Sequence, residues 1–194
     1  MSARYLLLGC LVLILSNPVR SQRTPPSLIG NLPALNTVQT ITLSPSYSCN
    51  WDLSKGYGNT ALFLSEYSKQ RNSPELLFNG ACRATDSFDV NTNGDEMSLI
   101  ADLGGIPLAS LTAQKVFNLR GVNAPVDYTK FTWLADAVAG HTYAVVINNG
   151  DVRGLLVFTV LKLVPNRQVD LQYVVKNYQV SSVFEQSQGF TWSQ

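Results

Sequence analysis

The sequence predicts a mainly β protein: an antiparallel β-sandwich or jelly-roll-like domain with one or two short helices. Short apolar segments rich in β-branched and aromatic residues recur from Thr37 onward, with turn residues between them. The dipeptides Asn93-Gly94 and Asn149-Gly150 each lie between two such segments, as in β-hairpins. The segment 155–164 is almost entirely apolar, which is typical of a strand buried on both faces.

These signals predict eight strands and two helices. The predicted strands are 37–43, 61–67, 87–92, 96–103, 130–138, 141–148, 154–164 and 169–180. One predicted helix covers 73–78, because Ser73 suits the N-cap and Pro74 the first helical position. The other covers 107–120, where leucines recur at helical spacing between Pro107 and Gly121.

The first hairpin is tested by the side chains that its register places together. A type I′ turn at Asn93-Gly94 pairs Thr92 with Asp95, Val90 with Met97, and Phe88 with Leu99. This register separates apolar from polar side chains, as a half-buried sheet requires. The same stretch resembles the start of an EF-hand loop, but Ile100 stands where the twelfth position needs a carboxylate. We therefore expect a turn, with weak calcium binding as the alternative, through Asp89, Asn91, Asp95 and Glu96.

The second hairpin extends into a three-strand meander. A turn at Asn149-Gly150 pairs Asn148 with Asp151, Ile147 with Val152, and Tyr143 with Leu156. Both faces of the middle strand are apolar, so each needs a cover. One face is expected to meet a second sheet; the other meets either the 107–120 helix or a long loop, or else another subunit. The candidate assembly strand for that last case consists of Leu155, Val157, Leu161 and Leu163.

The N-terminus reads as an export signal. Residues 1–21 combine an early Arg, a short apolar run and small residues before a cleavage point after Ser21. Residues 22–35 form an extended Pro-rich arm, and 36–194 a single β-rich domain. The apolar run is too short to span a bilayer, and no later segment is long enough to insert in one. We expect a secreted, extracellular protein.

Export leaves two cysteines, Cys49 and Cys82, which are expected to form a disulfide in an oxidising compartment. The bridge would stabilise the fold by roughly 3–4 kcal/mol in the chain-entropy model. Trp51 and Tyr57 follow Cys49 and form a candidate recognition loop for a sugar ring or a protein partner. The alternative is that Trp51 is buried beneath the loop.

The sequence offers no recognisable catalytic set. His141 is the only histidine, and no Gly-X-Ser-X-Gly motif accompanies it, so we interpret it as the first residue of a strand. No zinc ligand set, cofactor motif or singled-out carboxylate pair is present. Without Arg4 and Arg20, 12 basic residues face 13 acidic ones, so no basic surface for nucleic acid is expected.

These inferences favour a secreted, non-enzymatic protein that acts as a binding or structural assembly module through apolar β faces. Its expected partner is a second copy of itself or another extracellular protein. Two alternatives remain open from the sequence: a carrier of small apolar ligands, with the strands curled around a cavity, and a carbohydrate-binding protein that uses Trp51.

Overall fold

A computed structural model describes residues 31–45, 57–80, 85–90, 92–93, 96–113, 116 and 130–180. One short helix, α1, spans Glu66–Gln70, and 3-10 turns span Gly58–Thr60 and Leu108–Ser110. The strands are β1 (Val38–Leu43), β2 (Ala61–Leu62), β3 (Leu76–Phe78), β4 (Ser87–Asp89), β5 (Thr92–Asn93), β6 (Glu96–Met97), β7 (Leu99–Asp102), β8 (Leu134–Asp136), β9 (Thr142–Asn149), β10 (Val152–Val164) and β11 (Gln168–Val180).

The strands form two antiparallel sheets and a small ribbon. Sheet A has the order β1-β11-β10-β9-β7, sheet B has the order β2-β3-β4-β8, and β5 pairs with β6. All the pairings between these strands are antiparallel. The predicted fold class is confirmed: the protein is mainly β, with two antiparallel sheets and one short helix, consistent with a β-sandwich.

Aromatic side chains fill the space between the two sheets. Phe88 of sheet B lies 5.3 Å from Tyr143 and 5.0 Å from Phe158 of sheet A, measured between ring centroids. All three side chains are completely buried. Edge-to-face contacts at these distances add to the hydrophobic stabilisation from burial. The sandwich core is therefore centred where β4 crosses β9 and β10.

Two β-bulges keep the long strands β10 and β11 in contact with this core. Leu161 is the extra residue of β10, and Lys176 that of β11, where the register between them shifts. A bulge reverses the alternation of side chains along a strand. Beyond Leu161 it is consequently Leu163 that packs against the core, and beyond Lys176 it is Tyr178.

The opposite face of sheet A is covered by the same chain. Leu155 and Val157 of β10 belong to a second buried cluster with Leu111, Val116 and Phe131. The segment around the 3-10 turn Leu108–Ser110 thus shields the apolar middle strand. Two covers were expected as alternatives for this face, a helix or loop of the same chain or another subunit, and the structure shows the first.

The β9–β10 hairpin forms, but its register differs from the predicted one by two residues. Ile147 pairs with Gly154 and Tyr143 with Phe158, and the two-residue loop is Gly150 and Asp151. Of these loop residues only Gly150 has a positive φ, of 56°, so this is not the type I′ turn in which both residues need one. A shift of two keeps every side chain on its predicted face.

The hairpin predicted at Asn93-Gly94 is wrong both in register and in extent: Asn93 pairs with Glu96 instead of lying in the turn. Thr92 pairs with Met97, and the predicted pair of Phe88 with Leu99 is not formed. Phe88 instead pairs within sheet B, whereas Leu99 pairs with Val146 in sheet A. The chain crosses between the sheets here, so the two arms contribute to different apolar clusters.

The predicted helices are wrong or only partly seen. Residues 76–78 of the first form strand β3 rather than a helix. Within the second, Leu108–Ser110 form a 3-10 turn, and Val116 N donates to Thr112 O, the helical spacing of four residues. The predicted signal peptide, most of the Pro-rich arm and the rest of that helix lie outside the described residues.

Candidate functional site

The lateral edges of the two sheets differ in how much backbone they expose. Strand β1 is the longest edge strand of the described chain, with six residues against four in β7, three in β8 and two in β2. The β7 edge is covered, because Ile100 exchanges two hydrogen bonds with Thr132, N to O at 2.7 and 2.8 Å. The edge of β1 pairs with no described strand, and it is the candidate site.

Hydrogen bonds beyond the end of β1 show which residues face this edge. Ser44 N donates to Asn59 O at 3.0 Å, and Thr60 Oγ1 donates to Ser44 O at 3.1 Å, so both backbone groups of Ser44 point away from β11. Backbone groups alternate in direction along an antiparallel strand. Those of Thr42, Thr40 and Val38 therefore also point outward.

The pairings on the far side of the sheet give the same result. Val160 exchanges backbone hydrogen bonds with the two residues that precede β9: its N–H donates to His141 O at 3.0 Å, and its C=O accepts from Gly140 N at 2.8 Å. The direction of the backbone groups alternates along β10 and β11, and it can be followed from Val160 to β1 through the pairing registers. It places the backbone groups of Gln39, Ile41 and Leu43 toward β11. Val38, Thr40 and Thr42 are again the outward residues.

The side chains of this edge lack the features that usually block pairing. No charged residue occurs anywhere between residues 31 and 45, and the strand itself has no proline and no bulge. Val38 is 58% exposed, and Leu35 just before the strand is also exposed. An uncharged, regular, partly apolar edge of this length is a template for strand addition.

A cleft of about 360 Å³ lies beside the edge on the side of the sandwich core. Ile41 lines it from β1, and Leu62, Phe63 and Leu64 line it from the segment that contains β2. A strand added to β1 would point alternate side chains toward this cleft, because side chains alternate across a sheet. The edge therefore offers backbone groups together with a space for side chains.

The four side chains of the predicted assembly strand lie in different environments, on the two faces of sheet A and at its surface. Leu155 and Val157 are completely buried within the chain and have no surface to offer a partner. Leu163 is half-buried against the sandwich core. Leu161, at the bulge, is 54% exposed and alone among the four lies largely in solvent.

A buried polar cluster joins α1 to both sheets, and no sequence pattern predicted it. Glu75 is almost inaccessible to solvent. Its carboxylate accepts hydrogen bonds from Leu64 N at 2.9 Å, from Tyr178 OH at 2.6 Å and from Ser68 Oγ. Ser65, the N-cap of α1, accepts from Ser68 N and bonds Tyr178 OH at 2.7 Å. The cluster ties α1 and the β2–β3 connection to β11.

Burial governs the ionisation of this cluster. Removal from water raises the pKa of the Glu75 carboxyl, although its hydrogen-bond donors act in the opposite direction. Burial, with the charge of Glu75 beside it, also raises the pKa of the Tyr178 hydroxyl. Gly154 makes room for Tyr178, because a Cβ there would lie 3.3 Å from the Tyr178 ring.

A second cleft, of about 370 Å³, lies between α1 and the β9–β10 turn. Arg71 NH1 is 2.9 Å from Asp151 Oδ2 and 2.6 Å from Tyr67 OH, and Tyr67 OH also donates to Asp151. The guanidinium carbon lies 5.3 Å from the centroid of the Tyr67 ring. These groups satisfy one another, so their arrangement accounts for packing of the turn on α1.

The one histidine immediately precedes β9, as expected for a strand-start residue. Its Nδ1 lies 2.9 Å from Asp102 Oδ2 at the partly exposed end of the neighbouring strand β7. Within the described residues, no three His, Cys, Asp or Glu side chains are grouped to hold a metal ion. Of the four candidate calcium ligands, Asp89 accepts a hydrogen bond from Asn79 Nδ2. Asn91, Asp95 and the side chain of Glu96 lie outside the described part.

The predicted recognition loop is seen only at its end. Tyr57 is half-buried, with its ring centroid 6.1 Å from that of Phe63, and burial raises its pKa. Trp51, Cys49 and Cys82 lie outside the described residues. The recognition role and the disulfide therefore stay predictions.

The chain matches no protein-family model, no curated protein and no solved structure. In the part that the structure describes, no helix has both the length and the apolar character needed to cross a membrane.

Proposed function

We propose that this protein is a secreted, non-enzymatic binding module that takes up an extended segment of a protein partner as an additional strand beside β1. The observation that supports this most is the outward direction of the backbone groups of Val38, Thr40 and Thr42, which no described strand uses. An incoming antiparallel strand would form about six hydrogen bonds with them, two for each residue.

This proposal moves the binding surface from the faces of the sheet to its edge. One apolar face of β10 was a candidate for contact with a partner, but Leu155 and Val157 on that face are covered by the chain's own residues. No described strand pairs with the edge of β1, and Val38 at its start is exposed. Main-chain hydrogen bonds supply affinity in strand addition, and the adjacent cleft supplies selection among side chains.

Export and the disulfide remain part of the proposal. Pro45 lies against Gly80, since a Cβ on Gly80 would be only 2.5 Å from the Pro45 ring. Cys49 is four residues beyond Pro45 and Cys82 two beyond Gly80, distances that a short chain spans easily. Intact mass of the protein recovered from culture medium tests both points: loss of residues 1–21 and of two hydrogen atoms is expected. A full-length, reduced mass would contradict them.

The binding proposal is tested by panning displayed nine-residue peptides on the wild-type protein and on Thr40→Pro. Proline removes the outward N–H of Thr40, and edge strands tolerate it because no ladder bond to β11 is lost. Peptides enriched on the wild type should bind Thr40→Pro at least about tenfold more weakly. Absence of enrichment, or equal binding to both proteins, would refute strand addition at β1. The carrier and carbohydrate-binding alternatives stay predictions from the sequence.

A further inference from the structure

We infer that the strand that adds to β1 is β1 of a second copy, related by a twofold axis that passes beside Thr40. This inference rests on the proposed function and names its partner. A twofold dimer requires a surface that complements itself. The edge of β1 meets this requirement in its backbone groups, its side chains and its charge.

The backbone groups select one register. When two copies of β1 pair antiparallel with their outer faces on the same side, an even-numbered residue of one copy pairs with an even-numbered residue of the other. The outward residues Val38, Thr40 and Thr42 are all even-numbered. Pairing Thr40 with Thr40 of the second copy also pairs Val38 with Thr42 in both directions. This register uses all three outward residues of each copy. A shift of two would pair Val38 with Ser44, whose backbone groups are already bonded to Asn59 and Thr60.

The side chains fit the same register. On the outer face, Thr40 meets Thr40 across the axis, a cross-strand pair that is favourable in sheets, and exposed Val38 packs on the Thr42 methyl group. On the core face, Ile41 lies opposite Gln39 of the second copy. The incoming Gln39 and Ile41 would point toward the cleft lined by Ile41, Leu62 and Phe63.

Charge also favours a second copy over an unrelated basic or acidic segment. Two identical strands that carry like charges would repel when they pair antiparallel, and residues 31–45 carry none. The resulting assembly joins the two five-stranded sheets into one continuous ten-stranded sheet. With one short strand per copy in contact, the interface is small, so a concentration-dependent dimer is expected.

The position of Thr40 on the axis permits a charge-swap test. In Thr40→Lys two lysines face each other across the axis, and in Thr40→Glu two glutamates do. Either variant alone should raise the dimer dissociation constant at least about tenfold in sedimentation-equilibrium measurements. An equimolar mixture of the two should restore the wild-type constant or a lower one, because lysine then faces glutamate. Gln172→Lys is the matched control, since Gln172 lies beside Thr40 on β11 but one strand away from the edge.

Each outcome decides the inference. A dimer that Gln172→Lys leaves unchanged, that each Thr40 variant weakens and that their mixture restores supports the twofold at Thr40. A monomeric wild type at millimolar concentration, or dimers unaffected by either variant, would overturn it, as would a mixture that stays monomeric. If the wild type is monomeric but displayed peptides still bind in a Thr40-dependent way, the second copy is excluded while strand addition stands. Thermal unfolding of every variant verifies that the fold is retained.

Discussion

Replacing Glu75 by leucine tests whether the buried cluster organises the sandwich. The substitution leaves Leu64 N–H with no acceptor and removes one partner each from Ser68 and Tyr178. The two hydroxyls remain 2.8 Å apart and keep each other as partners. An unsatisfied buried N–H costs about 1–3 kcal/mol, and each lost hydrogen bond about 1 kcal/mol. The expected loss of unfolding free energy is thus roughly 3–5 kcal/mol, a large part of the stability of an ordinary domain.

The loss is measured by urea unfolding followed by tryptophan fluorescence, with midpoint and slope compared between proteins. Glu75→Gln keeps one acceptor and a similar volume, so about 1–2 kcal/mol is expected. Glu66→Leu, on the exposed side of α1, is the matched control and should change stability by less than about 0.5 kcal/mol. A Glu75→Leu protein as stable as the wild type would show that the carboxyl is a tolerated burial cost and refute its organising role.

Three further predictions follow from the same structure. The pKa of the Glu75 carboxyl is raised in the folded state. The contribution of Glu75 to the unfolding free energy is therefore complete below the pKa of the unfolded carboxyl, about 4.3, and is lost as pH rises through the folded pKa. The unfolding free energy of the wild type should thus fall from pH 4 to pH 8 relative to Glu75→Gln, and parallel curves would contradict this. Phe88→Ala should cost about 3–5 kcal/mol in urea unfolding, while exposed Met97→Ala changes little; equal effects would exclude Phe88 from the core. Gly154→Ala should cost about 1–3 kcal/mol, because its Cβ would lie 2.6 Å from Asn177 O, and an unchanged melting temperature would show that β11 can move away.

The β strands of sheet A were predictable because period-two alternation is a local signal. The segments 37–43, 141–148, 154–164 and 169–180 correspond closely to β1, β9, β10 and β11. Their registers were not predictable in the same way. Only Gly150 needs a positive φ in the turn, and the bulge at Leu161 depends on contacts with β11.

The failed helix at 73–78 shows tertiary packing overriding local signals. Ser73 and Pro74 suit a helix start, but Leu76 and Phe78 become completely buried by joining sheet B. The helix forms earlier, where Ser65 provides an N-cap that the sequence already contained. Burial of Glu75 had no sequence signal, since glutamate is almost never fully buried without partners.

The sequence contains a signal that could have identified β1 as a strand that would be unprotected at an edge. Residues 38–43 lack charge and proline, which natural edge strands commonly contain. What the sequence could not show is that β1 lies at the edge of its sheet. That position follows from the pairing of β1 with β11, which is distant along the chain: the paired residues Thr42 and Asp170 are 128 residues apart.

Residue-resolved hydrogen exchange along β1 tests the central claim most directly, because it reports the direction of each backbone N–H. In dilute protein, the amides of Gln39, Ile41 and Leu43 should be protected, while those of Val38, Thr40 and Thr42 exchange rapidly. Raising the protein concentration should slow the hydrogen exchange of the amides of Val38, Thr40 and Thr42 alone. Equal protection of all six amides in dilute solution would contradict an open edge, and with it the proposed mode of binding.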